Sequence, residues 1–107
     1  MRRADISEHD IQSQILDWLR IKRIFHWRNN SGAVAAVHNG KKRFIRFGAK
    51  GSPDIVAVRR GVVYGIEVKR ADQHQSIAQT YWQTDFERAG GVYVLARSVG
   101  DVERRIS

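Results

Sequence analysis

The chain contains no cysteine. That excludes a disulfide framework and a thiolate-bound metal. Proline occurs once, at Pro53, and no linker, internal repeat or low-complexity segment divides the chain. No apolar run approaches the ~20 residues that a membrane-crossing helix needs. No long basic amphipathic helix points to a membrane surface, and Met1 to Asp5 lack the apolar stretch of a signal peptide. A cytoplasmic protein with no membrane partner is expected. Walker-type phosphate binding is missing too, because Gly48-Ala49-Lys50-Gly51 is not followed by the helix-opening Lys-Ser/Thr; no nucleotide cofactor is expected. The four histidines, His9, His26, His38 and His74, show no metal-ligand spacing.

Acidic residues are scarce as well. Lys and Arg number 19 against 11 Asp and Glu, a formal net charge of +8. A pI near 10.6 most often belongs to a protein that meets nucleic acid. At 107 residues there is room for one domain, spanning residues 1–107, with one modest core. With 42% apolar and 28% charged residues, the chain should fold. Between Asp17 and Asp72 the only carboxylates are Asp54 and Glu67, set among thirteen Lys or Arg. Two lone acids in a basic stretch fit a metal site inside a polyanion-binding surface.

Those two acids flank a hairpin pattern, GSPDIVAVRRGVVYGIEVK. If Arg60-Gly61 is a tight turn, the numbers of paired residues sum to 121, and Asp54 lies opposite Glu67. Cross-strand partners have Cβ atoms ~5 Å apart, close enough for two carboxylates to share one divalent metal. Side chains alternate along a strand, so Glu67 and Lys69 share a face. Asp54, Glu67 and Lys69 form the inventory of a metal-dependent phosphodiesterase. The plainer alternative is a turn-capping Asp54 and an ordinary cross-strand ion pair at Glu67. The ordered combination of Gly-x-Pro-Asp, turn and Glu-x-Lys is more specific than either part alone.

With Glu8 in a first helix, Asn30-Ser31-Gly32, Gly48 to Asp54, Glu67-Val68-Lys69, Gln79 and Ala89-Gly90-Gly91, the chain resembles the PD-(D/E)xK nucleases. It is most similar to the virus-type replication-repair nuclease (VRR-NUC) family. The likeness runs from about Ser7 to Ala96. It implies an α/β fold with a restriction-endonuclease-like core, a central mixed β-sheet flanked by helices. It also implies a stand-alone domain of the kind found in phages and similar to Holliday-junction resolvases, working in the bacterial host cytosol if phage-encoded. Gln79 is carried over from the family as a catalytic-site residue, expected to fix the Lys69 ammonium group if it points there.

Residues and likeness together suggest the division of labour, the role of Glu8 being what the likeness implies. Asp54 and Glu67 are the expected Mg²⁺ or Mn²⁺ ligands, with the Val68 carbonyl between them and Glu8 reaching in directly or through water. Lys69 would orient or deprotonate the attacking water. Without the family likeness, Glu8 reads as a residue complementing the helix dipole.

A second hairpin is expected around Asn39-Gly40. Its outgoing arm interleaves Lys41, Lys42, Arg43 and Arg46 with aromatics, and Lys50 extends the run. These are the DNA-binding candidates, with Asn30 and Ser31 as phosphate-contacting turn residues; a charged edge strand is the alternative. The pattern further predicts a helix from Ser7 and a strand at Ile24 to Arg28. A polar, mobile segment is expected over Arg70 to Ser76, then a helix over Ile77 to Ala89 burying Ala78, Tyr81, Trp82, Phe86 and Ala89. A strand at Val92 to Ala96 and a short helix after Ser98 complete the chain. Gly65 should leave room for backbone or substrate beside the carboxylates.

The leading expectation is a metal-dependent endonuclease acting on branched DNA. Cutting a two-fold junction requires two sites, hence a homodimer, with Trp18, Phe25 and Trp27 as interface candidates. The competing expectations are a non-catalytic DNA-binding module on the same scaffold and an RNA-directed endonuclease.

Overall fold

The computed structural model describes residues 6–29, 32–47 and 49–106. Asn30, Ser31 and Gly48 lie outside the described residues. From the N-terminus the elements are α1 (Glu8–Ile21), β1 (Phe25–Arg28), β2 (Gly32–His38), β3 (Lys41–Phe47), β4 (Ile55–Arg59), β5 (Val62–Val68), α2 (Ile77–Arg88), β6 (Val92–Ala96) and α3 (Val99–Arg105). Four strands form one mixed sheet in the order β1-β4-β5-β6, antiparallel except for the parallel β5–β6 pair. The remaining two, β2 and β3, form a separate hairpin. The fold is mixed α/β.

Turn chemistry sets both hairpin registers. Arg60 and Gly61 have φ of 52° and 80°, and Asn39 and Gly40 have 51° and 76°. Positive φ at both central residues marks the turn whose twist matches flanking strands. Ile55 accordingly pairs with Ile66 and Val56 with Gly65, the register expected from a turn at Arg60-Gly61.

Alternation along β4 and β5 then separates two faces. Ile55, Ala57, Ile66 and Val68 are buried on one, against Ile11, Ile15 and Leu19 of α1 and Val102 of α3. Ser7 starts α1 by accepting the Asp10 backbone N–H at 3.1 Å. The opposite face carries Glu67 and is covered by α2, where Trp82 stacks on Phe86 at 4.7 Å and tilts against Tyr93.

This α2 face departs from expectation in two ways. None of the five expected residues is fully buried: Ala78, Trp82 and Phe86 are half-buried, Tyr81 is 70% exposed and Ala89 is also exposed. At Gly65, a Cβ would lie 3.1 Å from both Phe86 and Pro53. The missing side chain admits α2 and Pro53, rather than backbone or substrate.

Candidate active site

Asp54 and Glu67 meet where β4 begins and β5 ends. Asp54 stands one residue before β4, and its Oδ2 accepts the Val68 backbone N–H at 2.8 Å. The carboxylate thus takes the place a strand carbonyl would occupy in the next rung of the ladder. Its own carbonyl accepts the Asn29 N–H at 2.7 Å. Asn29 also closes the turn from the other side, its Nδ2 donating to Ser52 Oγ at 3.1 Å and to the Pro53 carbonyl at 3.0 Å. In the sequence Asn29 reads as ordinary turn chemistry. Its position before a turn carries no signal that it grips Ser52-Pro53 across the sheet.

Glu67 is 2% exposed. Burial, a hydrogen bond to Asp54 and the Asp54 charge push its carboxyl up to about 9, opposed by Lys69 and reinforced slightly by Glu8. Two carboxyls in hydrogen-bond contact in a dry site share a proton or a cation. Gln79 Nε2 donates to Glu67 Oε1 at 3.0 Å. The same amide's oxygen accepts the Ser76 N–H at 2.8 Å, while Ser76 Oγ accepts the Gln79 N–H, closing a capping box on α2. Gln79 therefore grips Glu67 instead of fixing the Lys69 ammonium, and it ties the orientation of Glu67 to the first turn of α2. Gly51 makes that docking possible: at φ +82°, a Cβ there would lie 2.4 Å from the Ala78 carbonyl oxygen.

Lys69 is half-buried, and its backbone N–H bonds the Ala96 carbonyl at 3.0 Å. Among the described residues its ammonium makes no ion pair, which leaves it available beside Glu67. Glu8 opens α1 a short way off. With the Gln73 amide satisfying both neighbours, its nitrogen donates to Glu8 Oε1 at 2.6 Å and its oxygen accepts from Arg70 Nη2 at 2.9 Å. Among the described residues no group of three or more His, Asp or Glu is arranged to hold a metal ion. The ready-made donor set is the Asp54–Glu67 pair, with Glu8 acting on it through charge.

The segment after Lys69 is tied down rather than mobile. Arg97 Nη1 donates to the carbonyls of Arg70 and, at 2.7 Å, Gln73. Gln75 Nε2 donates to Gln83 Oε1 at 2.9 Å and to the Tyr93 hydroxyl at 3.1 Å.

The basic arm is the β2–β3 hairpin. Lys41, Lys42 and Arg43 are exposed at its turn end, and Arg46 lies opposite Ala33 nearer its base. Seven residues of strand separate tip from base by ~20 Å at 3.3 Å per residue. Lys50 is exposed and lines an open cleft of about 470 Å³ with Ala78, Tyr81 and Trp82 on α2. No helix among the described residues is long and apolar enough to cross a membrane. No family model, curated protein or solved structure matches this chain, so what the site does has to be read from its own geometry.

Proposed function

We propose that the chain is a Mg²⁺- or Mn²⁺-dependent endonuclease with a PD-(D/E)xK core of the VRR-NUC kind, hydrolysing phosphodiester bonds in branched DNA such as Holliday junctions. One observation carries this reading. Glu67 is buried in hydrogen-bond contact with a second carboxyl, on a sheet face where Lys69 is the cation acting on it. Burying Glu67 against Asp54 costs stability in a purely structural sheet, because Glu67 must then keep its proton well above the usual carboxylate range.

The donor set fits a hard divalent cation, which takes oxygen ligands and retains several waters. Asp54 and Glu67 would hold it, with the Val68 carbonyl between them and Glu8 contributing through water. Bound there, such an ion would supply charge neutralisation at phosphoryl oxygens and a more acidic water. Gln79 keeps Glu67 in one orientation, and the Val68 N–H does the same for Asp54. Lys69, as an ammonium, would orient the attacking water and offset charge developing on phosphate. The basic hairpin and Lys50 hold the backbone on either side of the cut.

So small a domain has little surface for reading a long sequence, which favours recognition of DNA structure. Symmetric cutting of a junction requires two such sites, hence a homodimer. The test is cleavage of labelled four-way junction, flap, duplex and single-stranded DNA with Mg²⁺ or Mn²⁺. An EDTA lane and Asp54→Asn serve as controls. Paired symmetric cuts in the junction, lost in both controls, are expected. Binding without cleavage under either metal would overturn the enzyme and leave a DNA-binding module.

A further inference from the structure

Strand β1 is the edge of the main sheet, and it exposes two aromatic rings. Phe25 is 69% exposed and Trp27 is 44% exposed, with their centroids 5.9 Å apart in an edge-to-face arrangement. Register fixes the face they occupy. Phe25 lies opposite Val58 and Trp27 opposite Val56, while Val56 in turn lies opposite Gly65. Trp27 therefore stands on the Glu67 face, one strand over from β4 and two residues along from Asp54. At a strand spacing of ~4.8 Å and a rise of ~3.3 Å per residue, its Cα lies roughly 8 Å from that of Asp54. Where α2 covers β5 and β6, this half of the face is left open, with Val63 38% exposed beside the rings.

The rim of the open face is basic. Lys22 and Arg23 precede β1, and Arg60 stands in the β4–β5 turn at the Phe25 end of the sheet; all three are exposed. No carboxylate occurs between Lys22 and Arg28 or between Ile55 and Ile66. Among the described residues none of these three cations is in an ion pair.

We propose that Phe25 and Trp27 form a stacking platform for unpaired nucleotides, with Lys22, Arg23 and Arg60 holding the phosphates of the same strand. Exposed aromatics framed by cations are how single strands are held without regard to sequence. The charge argues against a second copy as the occupant. A two-fold interface presses the same patch against itself, bringing three cations of each copy against three of the other, whereas a polyanion neutralises them. The platform deepens the nuclease reading and rests on it in one respect: the strand it holds would be the one leaving a branch point beside Asp54 and Glu67.

The test is binding of a fluorescein-labelled oligothymidylate and of a blunt duplex of equal length, in EDTA so that cleavage plays no part. Phe25→Ala/Trp27→Ala should weaken oligothymidylate binding ~10-fold or more, with duplex binding changed by less than about twofold. Trp27 emission, isolated by difference against Trp27→Phe, should be quenched by the single strand; this holds the test open if the double variant folds poorly. Unchanged single-strand affinity, equal losses on both DNAs, or no Trp27 quenching would overturn the platform. So would conversion of a dimer to a monomer by the double variant in sedimentation, which would assign the patch to a second copy. The two proposals fail separately. Quenching and selective loss without any metal-dependent cleavage would sink the nuclease and keep the platform, whereas cleavage with an unaffected double variant would do the reverse.

Discussion

Glu67→Gln should make the metal-free protein more stable, although it removes the residue most central to the proposed chemistry. The Glu67 carboxyl is pushed up to about 9 in the folded chain, from 4.5 in the unfolded one. Below about pH 4.5 both states hold the proton and Glu67 carries no penalty. As the pH rises toward 9 the unfolded state ionises while the folded state does not. Folding stability is then lost at ~1.4 kcal/mol per pH unit. By pH 7 that amounts to about 3 kcal/mol, a large share of a small domain's stability. Glutamine is the neutral isostere: its oxygen can still accept from Gln79, and its amide can donate to Asp54. Urea unfolding in EDTA between pH 4.5 and 9 should show the variant level with wild type at the acid end. At pH 7 its midpoint should be about 1–3 M higher, given slopes of ~1–3 kcal/mol per molar urea. Mg²⁺ should narrow the gap, adding ~2.7 kcal/mol to wild type at a hundred times its dissociation constant and little to the variant. A variant no more stable than wild type at pH 7, with parallel pH profiles, would refute the buried acid pair.

Other consequences are open to direct measurement. Asp54→Ala should cost about 1–3 kcal/mol in urea unfolding, because the Val68 N–H is left without its acceptor; Asp54→Asn should keep the fold and abolish cleavage. Gln79→Ala removes one half of the capping box and the grip on Glu67, whereas Ser76→Ala removes the other half of the box alone. Each should cost ~1 kcal/mol of stability, but kcat should fall at least ~10-fold further in Gln79→Ala, and equal kcat values would argue against positioning through Gln79. Gly51→Ala should displace the first turn of α2 and lower both melting temperature and kcat, since the added Cβ meets the Ala78 carbonyl at 2.4 Å. Replacing Lys41, Lys42 and Arg43 by Ala should weaken binding to all DNA substrates alike. The salt dependence of that binding, read as the slope of log affinity against log salt, should become shallower by ~1 for each phosphate no longer neutralised.

The β4–β5 half of the site is legible in the sequence because its geometry is local. A two-residue turn at Arg60-Gly61 leaves a single register, and register carries Asp54 to Glu67 without any knowledge of the rest of the fold. The α2 half is not. Gln79 lies twelve residues beyond Glu67, and its reach depends on how closely a helix docks on a sheet. That closeness is set by Gly51 and Gly65, two absent side chains whose meaning exists only once the partner surface is known. The Arg70–Ser76 segment is hidden for the same cause. Its polar composition reads as mobile, yet Arg97, from beyond the last strand, bonds two of its carbonyls. Tyr81 departs in the opposite direction: an aromatic at helical spacing reads as core, although α2 docks through Ala78, Gln79, Trp82 and Phe86. The exposure of Tyr81 and the half-burial of Gln79 therefore have one cause. The helix is rotated to aim its amide at Glu67, and the apolar stripe gives way to that aim.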